Sequence, residues 1–252
     1  MAWHGPHGSQ LYYEDTGRGE TMVLLPGWSG SIADLGNLRR ELSDGFRVIA
    51  ADLPGSGRSQ PQPRRYVPGY YADDARTLIS LLDELEVAAA HLVGFSDGGE
   101  EALLVAALEP ARARTVVTWG AAGQIVTTQA ELTALATIVD APDDSLRPLA
   151  AYLVQAYGVQ NARIMTASWA EAMRGIVDAG GDISRSRAEL ITCPALLIAG
   201  TYDPFCPPDL VREMAEAVPR GEFREAAGAG HDVHLSHHHW LTAAVLDWLS
   251  SH

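Results

Sequence analysis

The stretch Gly94-Phe95-Ser96-Asp97-Gly98-Gly99 narrows what this chain can fold into more than any other part of it. Ahead of it stands Ala89-Ala90-His91-Leu92-Val93, apolar and of strand length; behind it, residues 100–108 read as a helix. A serine with glycine two places before and two places after, on a strand-to-helix turn, is the pattern of a nucleophile elbow. The turn is so tight that side chains at the flanking positions collide. It also lifts the hydroxyl to the end of a sheet, at the positive end of a helix. Gly-x-Ser-x-Gly alone arises by chance in glycine-rich chains. Its weight rests on the strand, the helix, and an acid and a histidine further on.

The rest of the chain supplies a sheet for that elbow. Thr21-Met22-Val23-Leu24-Leu25 is a continuous apolar run, as a strand buried on both faces requires, and it stops at Pro26-Gly27. Before it, residues 10–14 and the turn Gly17-Arg18-Gly19 predict a first hairpin or meander. Ser31-x-x-Asp34 signals the start of a helix running to Leu42, and residues 46–52 are the next strand. Apolar residues at 75, 78, 79, 82 and 85 have helical spacing. The helix after the elbow is apolar almost all round and should be buried. Residues 114–119, 195–199 and 222–225 are further strands, and a last helix places Trp240, Leu241, Ala244, Val245, Trp248 and Leu249 on one face. Alternating strands and helices imply a mostly parallel central sheet covered by helices on both faces, an α/β fold.

One part breaks the alternation. Between Gly123 and Ala188 no strand pattern is present. Thr128-x-x-Glu131 caps one helix, a second lies at residues 149–157, and a third carries the stripe Ile164, Met165, Ser168, Trp169, Ala172, Met173, Ile176 and Val177 before Gly180-Gly181. An all-helical insert between two sheet strands has to pack over something, here the C-terminal edge of the sheet. The expected organisation is a core of residues 1–123 and 189–252 with a helical cap at 124–188.

Bulk properties limit the company such a domain keeps. At 252 residues the chain can bury one large core. Its net charge of −14 argues against nucleic acid, whose phosphates need Lys and Arg; solubility or a bias toward cationic substrates remains. No apolar run approaches about 18 residues, so no membrane span is expected. Residues 1–6 have neither a basic nor an apolar signal region. Cys193 and Cys206 are too few for a disulfide framework and not spaced for a metal, so a reducing cytoplasm is expected.

A serine hydroxyl is a poor nucleophile near neutral pH and needs an imidazole held by a carboxylate. Asp203 lies in Gly200-Thr201-Tyr202-Asp203-Pro204, the loop leaving the strand at 195–199, and His231 ends Gly228-Ala229-Gly230-His231, after the strand at 222–225. Three residues at three strand ends make Ser96, Asp203 and His231 the candidate catalytic set. Asp97 as nucleophile would put Phe95 where the elbow needs a small residue. His91, inside a strand, reads as a core histidine, and His234 with His237-His238-His239 as a solvated helix start. Asp178 and Asp182 border the third insert helix, and Asp209 suits a helix start. No histidine or cysteine pairs have zinc-ligand spacing, so neither metal nor cofactor is expected. The oxyanion-hole N–H groups are expected from Asp97, after the nucleophile, and from Trp28, after Pro26-Gly27. Only backbone acts in that role. The Asp97 side chain either caps the helix or serves as counter-ion to a cationic group near the substrate carbonyl, such as an α-ammonium.

The Ser-Asp-Gly-Gly elbow together with Leu25-Pro26-Gly27 resembles the biphenyl-hydrolase-like proteins of the α/β-hydrolase superfamily, the α-amino-acid ester hydrolases called valacyclovirases. The likeness continues through Val117-Thr118-Trp119-Gly120-Ala121, Trp169, Cys193-Pro194-Ala195-Leu196, Asp203-Pro204 and Gly230-His231-Asp232-Val233-His234-Leu235, and is weak over residues 121–162. It implies an α/β-hydrolase fold, hydrolysis of small esters through an acyl-enzyme, and recognition of the substrate's free α-amino group by Asp97. The same triad could instead serve a C–C hydrolase or lactonase, and the fold without turnover a small-molecule receptor.

Overall fold

In the computed structural model, which describes residues 2–252, the strands are β1 (Ala2–His4), β2 (Leu11–Gly17), β3 (Thr21–Leu25), β4 (Arg47–Ala51), β5 (Ala90–Phe95), β6 (Ala113–Trp119), β7 (Ala195–Gly200) and β8 (Gly221–Ala226). They form one sheet in the order β1-β2-β4-β3-β5-β6-β7-β8. β1 and β2 form a hairpin, but its turn lies between His4 and Leu11 and not at the expected Gly17-Arg18-Gly19, across which β2 and β3 do not pair; β2 lies antiparallel to β4, and every other pairing is parallel. The helices are α1 (Gly36–Leu42), α2 (Tyr70–Glu84), α3 (Asp97–Leu108), α4 (Gln129–Ala136), α5 (Arg147–Asp178), α6 (Pro208–Ala217), α7 (Val233–Ser236) and α8 (His238–Ser250).

Alternation along each strand divides the interior into two cores. Val23, Leu25, Leu92 and Val116 pack with Leu81 of α2, Leu103 of α3 and Val211 of α6. Their neighbours Met22, Leu24, Val93 and Val117 pack on the opposite face with Leu38 of α1 and Trp248 of α8. A strand that feeds both cores is apolar on both faces, which is why β3 and, apart from His91, β5 read as hydrophobic runs. Residues Asp97 to Ala107 of α3 are all buried, acids included.

Two local expectations change, and a third is sharpened. The second and third insert helices meet at Gly158 (φ 74°, ψ 155°), whose non-helical backbone separates them within the span of α5. Glycine reaches that backbone region without a Cβ clash, so one helix follows the other with no intervening loop. The Ser31–Asp34 capping box is present, but it opens a 3-10 turn at Ile32–Leu35, from which α1 continues. On α8, Trp240 is 39% exposed while Leu241, Ala244, Val245, Trp248 and Leu249 are buried. Trp240 therefore lies at the edge of the buried stripe, beyond Ala244 on the side away from Leu249.

The insertion between β6 and β7 leaves and returns through one neck. The Gly123 carbonyl accepts the N–H groups of Ile183, Ser184 and Arg185, and Gln124 bridges to Asp182. No helix among the described residues is long and apolar enough to cross a membrane.

Candidate active site

The elbow forms because only glycine fits around it. A Cβ on Gly94 would stand 2.2 Å from the Gly98 carbonyl oxygen, and one on Gly98 2.4 Å from that of Pro26. Ser96 itself sits at φ 52°, ψ −119°, strain of the order of 1–3 kcal/mol for a non-glycine residue. It is held there by its N–H on the Trp119 carbonyl (2.9 Å) and its carbonyl on the Glu100 N–H (3.0 Å). The hydroxyl is thereby fixed at the end of β5 and the N-terminus of α3.

His231 Nε2 lies 3.0 Å from Ser96 Oγ, and Nδ1 lies 2.8 Å from Asp203 Oδ2. The other oxygen of Asp203 accepts the backbone N–H groups of Phe205 and Cys206, both at 2.9 Å. With Asp203 an acceptor only, Nδ1 carries the proton and Nε2 is left to accept from Ser96. The imidazole is packed as well as bonded: the Phe95 ring lies 4.9 Å and the Phe205 ring 5.2 Å from it, centroid to centroid. A Cβ on Gly120 (φ +69°) would come within 2.7 Å of His231 Cε1.

A Cβ on Gly27 would be 3.2 Å from that of Ser96, which sets the backbone entering Trp28 against the candidate nucleophile. The following turn is closed by the Gly30 N–H on the Gly27 carbonyl (3.0 Å) and braced by the Tyr157 hydroxyl, which donates to the Ser29 carbonyl (2.5 Å). The Trp28 indole packs on Trp169 of α5, with centroids 4.7 Å apart.

Asp97 is buried, and both carboxylate oxygens turn to α2. Oδ2 accepts the Tyr70 hydroxyl (2.7 Å) and Oδ1 the Tyr71 hydroxyl (2.9 Å). The Trp169 indole N–H donates to Tyr70 Oη at 3.2 Å. Burial pushes the Asp97 carboxyl up to about 6, against the pull of the two phenols and Arg64. Glu100, one turn on, accepts from the N–H groups of Ala122 (2.9 Å) and Gly123 (2.7 Å) and from Ser184 Oγ (2.8 Å). It thus ties the neck of the insertion to α3, the helix that follows Ser96. Burial pushes its carboxyl to about 7.

The remaining candidates lie elsewhere. His91 Nδ1 meets Thr115 Oγ1 at 2.9 Å inside the sheet, as a core histidine would. His234 is not solvated: α7 turns it inward, where its Nδ1 accepts the Trp119 indole N–H (3.1 Å) and burial lowers it to about 4. His238 meets Glu41 at 3.0 Å. Asp182 accepts from the N–H and hydroxyl of Ser186, and Asp209 occupies the first turn of α6. Among the described residues, metal-ligand spacing occurs at Asp203, Cys206 and His231, whose ligand atoms lie within 4.8 Å of one another. Two of these are joined by the bond just described, and the Cys206 thiol donates to the Gly120 carbonyl. A cleft of about 370 Å³ beside Tyr12, Arg39, Asp52, Arg58 and Tyr157 includes none of the triad residues in its lining.

Sequence reasoning missed Tyr70, Tyr71 and Gly120 as parts of this site. Tyr70 and Tyr71 carry only the signal of a helix start, and nothing in their spacing names the carboxylate they meet. Gly120 was readable only as a strand-ending glycine.

The chain belongs to the alpha/beta hydrolase fold family, whose pattern matches residues 20–238. It is similar to the human serine hydrolase BPHL, 31% identical over 209 residues, 80% of this chain and 69% of that protein. A 2-hydroxy-6-oxononadienedioate/2-hydroxy-6-oxononatrienedioate hydrolase from Paraburkholderia phymatum is 28% identical over 265 residues, covering 95% of this chain and 91% of the relative. Among solved structures, the enol-lactonase from Burkholderia xenovorans LB400 superposes with a TM-score of 0.80 at 23% identity, over 99% of this chain and 100% of the other. That last likeness speaks for the fold alone.

Proposed function

We propose that this chain is a serine esterase that cleaves small carboxylic esters through an acyl-enzyme and prefers esters with a free α-amino group. The observation that carries the reading is the unbroken hydrogen-bonded line from Ser96 Oγ through His231 to Asp203, with the Asp97 carboxylate on the next residue. Ser96 Oγ attacks the ester carbonyl carbon as His231 Nε2 takes its proton, and Asp203 stabilises the imidazolium. The oxyanion is received by the N–H groups of Trp28 and Asp97, each such donor being worth about 2.7–4 kcal/mol in the transition state. Collapse breaks the bond to the alcohol, which leaves with the proton from His231. Water then attacks the acyl-enzyme by the same route, releasing the acid and restoring Ser96. This chemistry calls for neither metal nor organic cofactor.

Asp97 supplies the preference. Above about 6 it is mostly anionic, and an α-ammonium sits two bonds from the ester carbonyl carbon. Residues 124–188 act as a cap that brings Trp169 and Tyr157 to the site. The two thiols, both free, suit a cytoplasmic setting.

Carbon–carbon bond hydrolysis is the second reading, favoured by the Paraburkholderia relative, which by its name acts on dioates. A doubly anionic substrate would meet the buried Asp97 carboxylate and a chain of net charge −14. Electrostatics therefore favour the amino ester. The deciding assay compares kcat/KM for an α-amino ester and its des-amino analogue in wild type and Asp97→Asn. Removing the carboxylate should cost the amino ester about a hundredfold, in the range found when one partner of a buried charge pair is truncated. An equal loss on both esters would make Asp97 a structural residue.

A further inference from the structure

The Asp97 carboxylate is held by groups from outside its own helix. Each of its oxygens accepts one phenolic O–H, from Tyr70 at 2.7 Å and Tyr71 at 2.9 Å. An ionised carboxylate oxygen has a second lone-pair site, so each retains one acceptor position for a ligand. The Tyr70 hydroxyl has no freedom to turn away. Its oxygen already accepts the Trp169 indole N–H at 3.2 Å, so keeping both bonds requires its own proton to point at Asp97.

The rings are as fixed as the hydroxyls. Tyr70 and Tyr71 stack with centroids 4.1 Å apart, Tyr66 meets Tyr70 edge-on at 5.0 Å, and the Arg64 guanidinium lies over Tyr66 (4.5 Å) and Tyr70 (5.0 Å). Arg64 is in turn clamped by Asp74 through two bonds of 2.6 and 2.7 Å. A residue so locked keeps its geometry whether or not a ligand is present, the condition for preorganised recognition.

This arrangement selects by chemistry. Two acceptor positions beside a negative charge suit a compact group that only donates, and a primary ammonium is such a group; a carboxylate or a carbonyl is refused. We propose that Tyr70 and Tyr71 are positioning residues that hold Asp97 as a two-point acceptor for the substrate's α-ammonium, and that Trp169 makes the helical insertion part of that selectivity. The inference rests on the amino-ester reading above and extends it from Asp97 to the residues that make Asp97 selective.

The charged and titratable groups around Asp97 set the direction of the test. Tyr70 and Tyr71 on α2 and Arg64 before it favour the anion; Asp74 on α2 opposes it, and Glu100 and Glu101 follow on Asp97's own helix. Deleting a phenol removes a donor to the anion, so Asp97 binds its proton more tightly and the acid limb for amino esters moves to higher pH.

The experiment is kcat/KM across roughly pH 5–9 for an α-amino ester and its des-amino analogue, in wild type, Tyr70→Phe, Tyr71→Phe and Trp169→Phe. Each tyrosine variant should lower the amino-ester value about ten- to hundredfold, the range for a hydrogen bond to a charged group. The loss on the des-amino ester should be several times smaller, and the acid limb should shift upward for the amino ester alone. Trp169→Phe should act in the same direction by a smaller factor, since it reaches Asp97 only through Tyr70. Equal losses on both esters with an unmoved acid limb, in a wild-type background that does discriminate, would overturn the inference and leave the amino-ester reading standing. A wild-type enzyme that treats the two esters alike would overturn both.

Discussion

Two buried carboxylates flank the candidate nucleophile, and they are built in opposite ways. Asp203 is served by its own loop: the N–H groups of Phe205 and Cys206, two and three residues on, take one oxygen and leave the other for His231. Asp97 is served from a distance. Its phenols come from α2, 26 and 27 residues back, and the indole behind them from α5. Backbone turn geometry makes the first site and survives wide change in neighbouring side chains. Packed side chains from two other helices make the second, so it can change while the triad stays. On the proposed function, the catalytic part of this molecule is thus local at each strand end, and the selective part is tertiary.

That contrast can be broken by substitution. Asp203→Asn should be the most damaging change at either carboxylate: with the wrong imidazole tautomer, kcat falls by about 10⁴, and by the same factor for esters with and without an amino group. Steady-state assay on the ester pair checks it, and a loss confined to amino esters would erase the distinction. Asp97→Asn comes next and should separate the pair. Gly120→Ala is smaller. Its Cβ would press on His231 at 2.7 Å, and misplacing the base by a few tenths of an ångström should lower kcat about tenfold with KM little changed.

The smallest effect is one of pH. The Asp97 carboxyl is raised to about 6 chiefly by burial, so its charge is present above that value and lost as pH falls through it. The ratio of amino-ester to des-amino kcat/KM should therefore drop about twofold at the midpoint and further below it. It should also decline at high pH as the substrate amine loses its proton near about 8. Using the ratio cancels pH effects common to both esters. A ratio flat from acid to base would take Asp97 out of recognition.

The same division explains what could be read from the residues in order. β3 and β5 announce themselves because they feed two cores, and Gly94 and Gly98 because no other residue fits the turn. Asp203 and His231 could be placed because each ends a strand. The two later insert helices are legible from their stripes, but not that they meet at Gly158 alone, because only the backbone shows the chain turning on one residue. His234 reads as solvated because α7 is too short to carry a periodicity that would point it inward. Tyr70 and Tyr71 were beyond reach for another reason. Their partners are set by how α2 packs on α3, and no local pattern records that.

The most direct test of the account is a stopped-flow assay with a chromogenic α-amino-acid ester. An acyl-enzyme on Ser96 predicts a burst of alcohol equal to the concentration of active chains, followed by slower turnover, and no burst in Ser96→Ala. A Ser96→Ala protein that keeps both burst and turnover would contradict it.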